Sequence, residues 1–271
     1  MSYLKLFYFY TMRWSLIFFL FTSVLIAQKI TATFENSQTL DADYFIGKDP
    51  LENMYYVKNN TLFKKSEKLN LNYQNPNLGR LSSVDITNPF KIILFYKDFN
   101  TVVILDNNLN PHFAAIGLGS VNYSLVSFAS ENNLWLYSAE NNMLELFDYQ
   151  LNQTQITSQP LYFYHAGFIA SEIVSTNQYV YLVGAEGILA FNQYGSYLSF
   201  ESKTEFSDLT IWAKERVIKK NNDLFLIQEE DKAILLDKQV TIKDFYFSTN
   251  SLMIFDGEQL MQFKLEQIEG K

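Results

Sequence analysis

The chain has 271 residues, 48% hydrophobic and 18% charged, with 24 Phe and 18 Tyr; a sizeable core is within reach and disorder is excluded for most of its length. Its net charge of −8, about −10 once a leader carrying Lys5 and Arg13 is removed, repels phosphate backbones and anionic headgroups, so nucleic acid is not an expected partner. The absence of cysteine rules out disulfides, thiolate nucleophiles, Cys-ligated metals and a lipidated N-terminal Cys, so no lipid anchor is expected.

Residues 1–28 have the form of a secretory signal peptide. Arg13 precedes an uncharged apolar run from Ser15 to Ile26, and Ala27-Gln28 supplies a small residue at the boundary. The run is shorter than the roughly twenty residues that span a bilayer, so no stable transmembrane span is expected after cleavage. Leu25 leaves the cleavage point open by a residue or two, and Met12 is an alternative start that gives a more compact leader. An uncleaved N-terminal anchor is the competing reading. The leader resembles those of exported Gram-negative proteins, which implies a periplasmic or outer-membrane-associated address.

Residues 29–271 contain no linker rich in Pro, Gly or Ser and are expected to form one domain. Ile30 to Phe34 (ITATF) is the expected strand joining the end of the fold to its beginning. A weak repeat follows, in which an Asn precedes a short apolar strand, a polar turn and a second apolar strand. In chain order the copies start at Asn53 (MYYV, then TLFKK), Asn88 (FKIILFY, then TVVILD) and Asn132 (LWLYS, then MLELFD). Three more start at Asn177 (YVYLV, then ILAFN), Asn221 (DLFLIQ, then KAILLD) and Asn250 (SLMIF, then EQLMQFKL).

Each copy has the pattern of a β-hairpin around a Gly-, Asn- or Asp-containing turn. The intervals between the leading Asn residues are 35, 44, 45, 44 and 29, close to the repeat of a four-stranded propeller blade. FKIILFY and TVVIL are apolar at nearly every position, as for strands buried on both faces. The expected fold is therefore all-β, a β-propeller of about six blades. The short last interval leaves five or seven open, and a sandwich or an open stack of hairpins are the alternatives. The hairpin rhythm is similar to that of WD-like and quinoprotein-like propeller proteins. The Gly-His and Trp-Asp signatures of the former and the recurring Trp of the latter are missing, so the resemblance implies a fold and a central channel, and no functional residue.

No catalytic, cofactor-binding or metal-binding set emerges, and no cofactor is expected. His112 and His165 lie about fifty residues apart without a metal-ligand spacing. Gly117-Leu118-Gly119-Ser120 lacks the lysine of a phosphate-binding loop and has the pattern of a turn. Asp41, Asp43 and Asp49, and Glu229-Glu230-Asp231, are expected on solvated turns. Trp135 and Trp212 are expected in core strands.

The stretch Pro160 to Phe168 (PLYFYHAGF) is the candidate partner-binding segment. Tyr162, Phe163, Tyr164, His165 and Phe168 concentrate aromatic area in a connection between hairpins, the residue types that dominate binding energy when exposed. The plainer alternative is a buried strand with Tyr162 and Tyr164 on one face and Phe163 on the other. The function expected from these features is a non-enzymatic interaction or scaffold module holding an envelope protein partner. The alternative is a propeller that binds a small ligand, or acts as a hydrolase or oxidoreductase, at its central channel.

Overall fold

The computed structural model describes residues 30–202, 206–212, 215–227, 231–248 and 251–267. The expected leader, Glu229, Glu230 and Asn250 lie outside them. The described strands form six four-stranded antiparallel blades, four as separate sheets and the last two joined in one eight-stranded sheet. The innermost strands line the ring axis: Tyr44–Lys48, Ser83–Asp85, Leu125–Ser130, Ala170–Ser175, Phe206–Trp212 and Asp244–Ser248.

The ring closes through its first strand. Ile30–Thr39 is the outer strand of the sixth blade, antiparallel to Gln259–Gln267 with Phe34 opposite Phe263. Its first residues also run parallel to Lys232–Leu236, the outer strand of the fifth blade, with Ala32 opposite Leu236. The Asp237 carboxylate accepts the Phe34 N–H at 2.9 and 3.1 Å, satisfying a donor beside the bulge between Phe34 and Asn36. The joining role expected of ITATF is realised by closing the last blade.

The blades bury both faces, so their central strands need apolar residues at every position. In the second blade, Ile92, Leu94, Tyr96, Val103 and Leu105 pack towards the first blade. Ile93, Phe95, Val102 and Ile104 pack towards the third. This is the physical source of the continuous runs FKIILFY and TVVIL.

A different set of Asn residues recurs inside the blades. At the turns between second and third strands, Asn100 and Asn142 take left-handed backbone. The Asn100 amide donates to the Val121 carbonyl at 2.7 Å, and that of Asn142 to the Phe168 carbonyl at 2.8 Å, tying each turn to the connection that enters the next blade. Asn60 and Asn222 do the same with Gly79 and Val240. Asn221-Asn222 is therefore the tight turn between the second and third strands of the fifth blade, and the hairpin it leads is made by the third and fourth strands, which shifts the fifth copy by one strand. The second strands begin at Met54, Ile92, Asn133, Tyr179, Glu215 and Ser251, at intervals of 38, 41, 46, 36 and 36, and the short last interval disappears.

The solvated turn expected at Asp49 is also corrected. Asp49 is fully buried and accepts the Leu51 and Asn53 N–H groups and the Tyr55 hydroxyl, each at 2.9 Å. The equally buried Lys64 ammonium lies 3.8 Å away and donates to the Asn107 carbonyl at 2.7 Å. Burial holds Lys64 below its ordinary value, against the pull of Asp49. Asp41 and Asp43 are surface residues that meet Lys58 and the Asn59 N–H.

Candidate functional site

The connection from the third to the fourth blade contains the expected partner-binding segment. It is no strand: Leu161–Phe163 forms one 3-10 turn. The Leu161 side chain is buried and its N–H donates to the Asn142 carbonyl at 2.7 Å. Phe168 is 1% exposed and packs edge-on to Phe200 at 6.2 Å, so it anchors the segment from the core and offers nothing to a partner. Tyr164 stacks on Tyr197 at 4.6 Å. The His165 ring stacks on Phe200 at 3.9 Å, with Nε2 2.6 Å from Glu186 Oε2.

These contacts leave Tyr162 and Phe163 turned outward, 50% and 69% exposed, with ring centroids 4.8 Å apart. Ile169, on the same connection, is 61% exposed. Of the five expected residues, two form an exposed pair and three hold it. His112 sits in a loop of the second blade, its Nε2 3.3 Å from the Phe90 carbonyl, and does not meet His165. Among the described residues no group of three His, Asp or Glu could hold a metal ion.

The second feature is the axial channel, expected from the propeller resemblance, whose lining acids no sequence pattern singled out. Acids on alternate inner strands reach the backbone of the next blade: Asp85 accepts the Phe128 N–H at 2.8 Å, Glu172 the Leu209 N–H at 3.2 Å, and Asp244 the Phe45 N–H at 2.9 Å. Second, fourth and sixth blades are thus stitched to the third, fifth and first. The Ser127 hydroxyl adds a bond to Asp85 at 2.6 Å and lies 2.7 Å from that of Ser175.

Burial, reinforced by the nearby Asp208 charge, pushes the Glu172 carboxyl up to about 8, while the Leu209 N–H pulls it down. Burial also raises Asp244, opposed by the Phe45 N–H and Lys243. Asp208 itself is paired with Lys219 at 3.0 Å. The channel opens into a cavity of about 1520 Å³ that continues between the fourth and fifth blades. Trp212, the last residue of strand Phe206–Trp212, is half-buried, packs against the core between the fifth and sixth blades 6.1 Å edge-on to Tyr246, and also lines the channel.

Six four-stranded blades around an axial channel, closed by the first strand, define a β-propeller, and the chain is one. Comparison with solved structures agrees. The chain is similar to a streptogramin B lyase, with 15% identity over 82% of this chain and 78% of that one, and a TM-score of 0.58. A virginiamycin B lyase from Staphylococcus aureus shares 11% identity, 82% and 80% coverage and a TM-score of 0.57. A chain of a mitotic checkpoint complex shares 11%, 85%, 77% and 0.55. At these identities the likeness is one of fold alone. No protein-family model and no curated protein matches the sequence.

Proposed function

We propose that the chain is an exported, non-enzymatic interaction module whose propeller holds a protein of the bacterial envelope through the Tyr162–Phe163 edge. The observation that carries this reading is the exposed aromatic pair fixed on a turn whose other side chains are tied down. Two rigid rings lose little conformational entropy on binding, and a surrounding shell of ordered residues is the setting in which such anchors dominate affinity. The signal-like segment 1–28 supports export, and the acidic balance suits a protein partner rather than nucleic acid.

The test is crosslinking of the tagged protein in its native envelope, followed by identification of what is captured. One stoichiometric envelope partner is the expected outcome; recovery of the protein alone across repeated trials would contradict it.

A second reading, a ligand-binding or catalytic channel, is favoured by the cavity of about 1520 Å³. Three of its carboxylates are engaged by backbone N–H groups of neighbouring blades, which supports a structural duty for them.

A further inference from the structure

The fourth blade presents to the fifth a face that its equivalents lack. Counting from the turn between second and third strands, the fourth pair of facing residues points at the next blade. In the third strand these positions are Lys64, Ile104, Leu146, Ala190, Leu226 and Gln262. Ala190 is the only small residue among them. The row in the third blade runs Trp135, Leu146, Ile156, and it fills the seam to the fourth. The matching row in the fourth blade runs Tyr181, Ala190, Ser199. Large residues have given way to a methyl and a hydroxymethyl, and the channel cavity extends into the resulting cleft.

The walls of this cleft are chemically specific. The Arg216 guanidinium lies 5.6 Å from the Tyr181 ring centre and 2.6 Å from Glu201 Oε1, and both charged side chains are only partly buried. Tyr179, its ring centre 6.2 Å from that of Tyr181, adds further aromatic surface, and Gln178 and Ser199 add polar groups to the lining. A wholly apolar ligand would strip water from the Arg216–Glu201 pair and Ser199 without replacing its hydrogen bonds, at a cost that apolar contact does not offset. An anion would meet the channel carboxylates Asp85, Asp208 and Asp244, and a cation would find the cleft carboxylate Glu201 already paired. A neutral ring with apolar faces and a hydroxylated edge satisfies both aromatic walls and polar forks.

We propose that the cleft between the fourth and fifth blades is a binding site for a neutral oligosaccharide. Sugar rings lie against Tyr179 and Tyr181, and their hydroxyls reach Arg216, Glu201 and Ser199. The site does not depend on the docking edge at Tyr162 and Phe163, which lies on the connection between the third and fourth blades.

Cavity-filling separates this site from a mere packing defect. The purified protein is titrated with maltohexaose, cellohexaose and chitohexaose, recorded by calorimetry. At least one probe is expected to give saturable heat. Ala190→Leu with Ser199→Ile, which restores the residue types of the third blade, is expected to weaken binding at least tenfold while raising the unfolding temperature. Glu201→Gln keeps the shape and serves if the filled variant does not fold, with about a tenfold weaker affinity expected. No saturable heat from any of the three, or affinity unchanged in the filled variant or in Glu201→Gln, would overturn the proposal.

Discussion

The Glu172 carboxylate accepts the Leu209 N–H at 3.2 Å across the seam between the fourth and fifth blades. The same bond is made by Asp85 to Phe128 and by Asp244 to Phe45, so every second seam is stitched at the channel wall. A carboxyl group suits the task because its oxygen accepts a backbone N–H in either protonation state. Glu172 differs from the other two in its longer side chain and in a carboxyl pushed up to about 8, the Asp208 charge acting on it and on Asp244 alike.

That difference gives the fold a pH dependence. The native state holds the Glu172 proton up to about pH 8, whereas the unfolded chain releases it near the ordinary value of 4.5. Between these values the native state binds more protons, so stability falls as pH rises. Asp244, also raised, acts in the same direction. Glu172→Gln should match the wild type at pH 5 and exceed it at pH 8.5 by about 2 kcal/mol, allowing for water in the channel. Thermal melts at the two pH values check this; equal melting temperatures for both proteins at pH 8.5 would contradict it.

The buried pair of Asp49 and Lys64 should be costly to break from one side. Asp49→Ala strips four 2.9 Å hydrogen bonds from Leu51, Asn53 and Tyr55 of the first blade and leaves the Lys64 charge buried beside a methyl. A loss of about 3–5 kcal/mol is expected. Asp49→Ala with Lys64→Met should recover part of it, because the uncompensated charge is gone. Urea midpoints of the two variants decide the point, and equal midpoints would argue against a buried charge pair.

Closure by the first strand should control cooperativity. Deleting residues through Thr39 uncovers Gln259–Gln267 and Lys232–Leu236 together, so the truncated chain should lose its single sharp transition. The milder Asp237→Ala removes only the acceptor of the Phe34 N–H and should cost about 1 kcal/mol. Calorimetry of both variants tests the gradation.

Much of this architecture was legible in the sequence. Hairpins at Asn53, Asn88, Asn132, Asn177 and Asn250 fall on second and third strands, because doubly buried strands must be apolar throughout. The fifth copy slipped because Asn221-Asn222, a turn pair, resembles the Asn residues that lead the other hairpins. Asp49 and the channel acids escaped notice for one reason: a buried, hydrogen-bonded carboxylate looks the same in sequence as a solvated one. Ala190 becomes informative only once the blades are aligned by register, since no local pattern marks a missing side chain. Within PLYFYHAGF the aromatic excess was visible, but not its division between exposed rings and buried anchors, which follows from the 3-10 turn.

That division has an energetic signature. Phe168→Ala should destabilise the protein by about 3–5 kcal/mol, as expected for a buried aromatic side chain. Tyr162→Ala and Phe163→Ala should stay within about 0.5 kcal/mol of the wild type, since their rings face solvent. Chemical denaturation of the three variants measures the contrast; a large loss for either exposed residue would show a structural duty in place of docking.

The most direct test of the interaction reading combines that contrast with capture. A tagged Tyr162→Ala/Phe163→Ala variant and the wild type are crosslinked in the native envelope and the captured protein is quantified. The account predicts a single envelope partner on the wild type and at least tenfold less on the equally stable variant. Equal capture by both would remove the Tyr162–Phe163 edge from the interface and contradict the central claim.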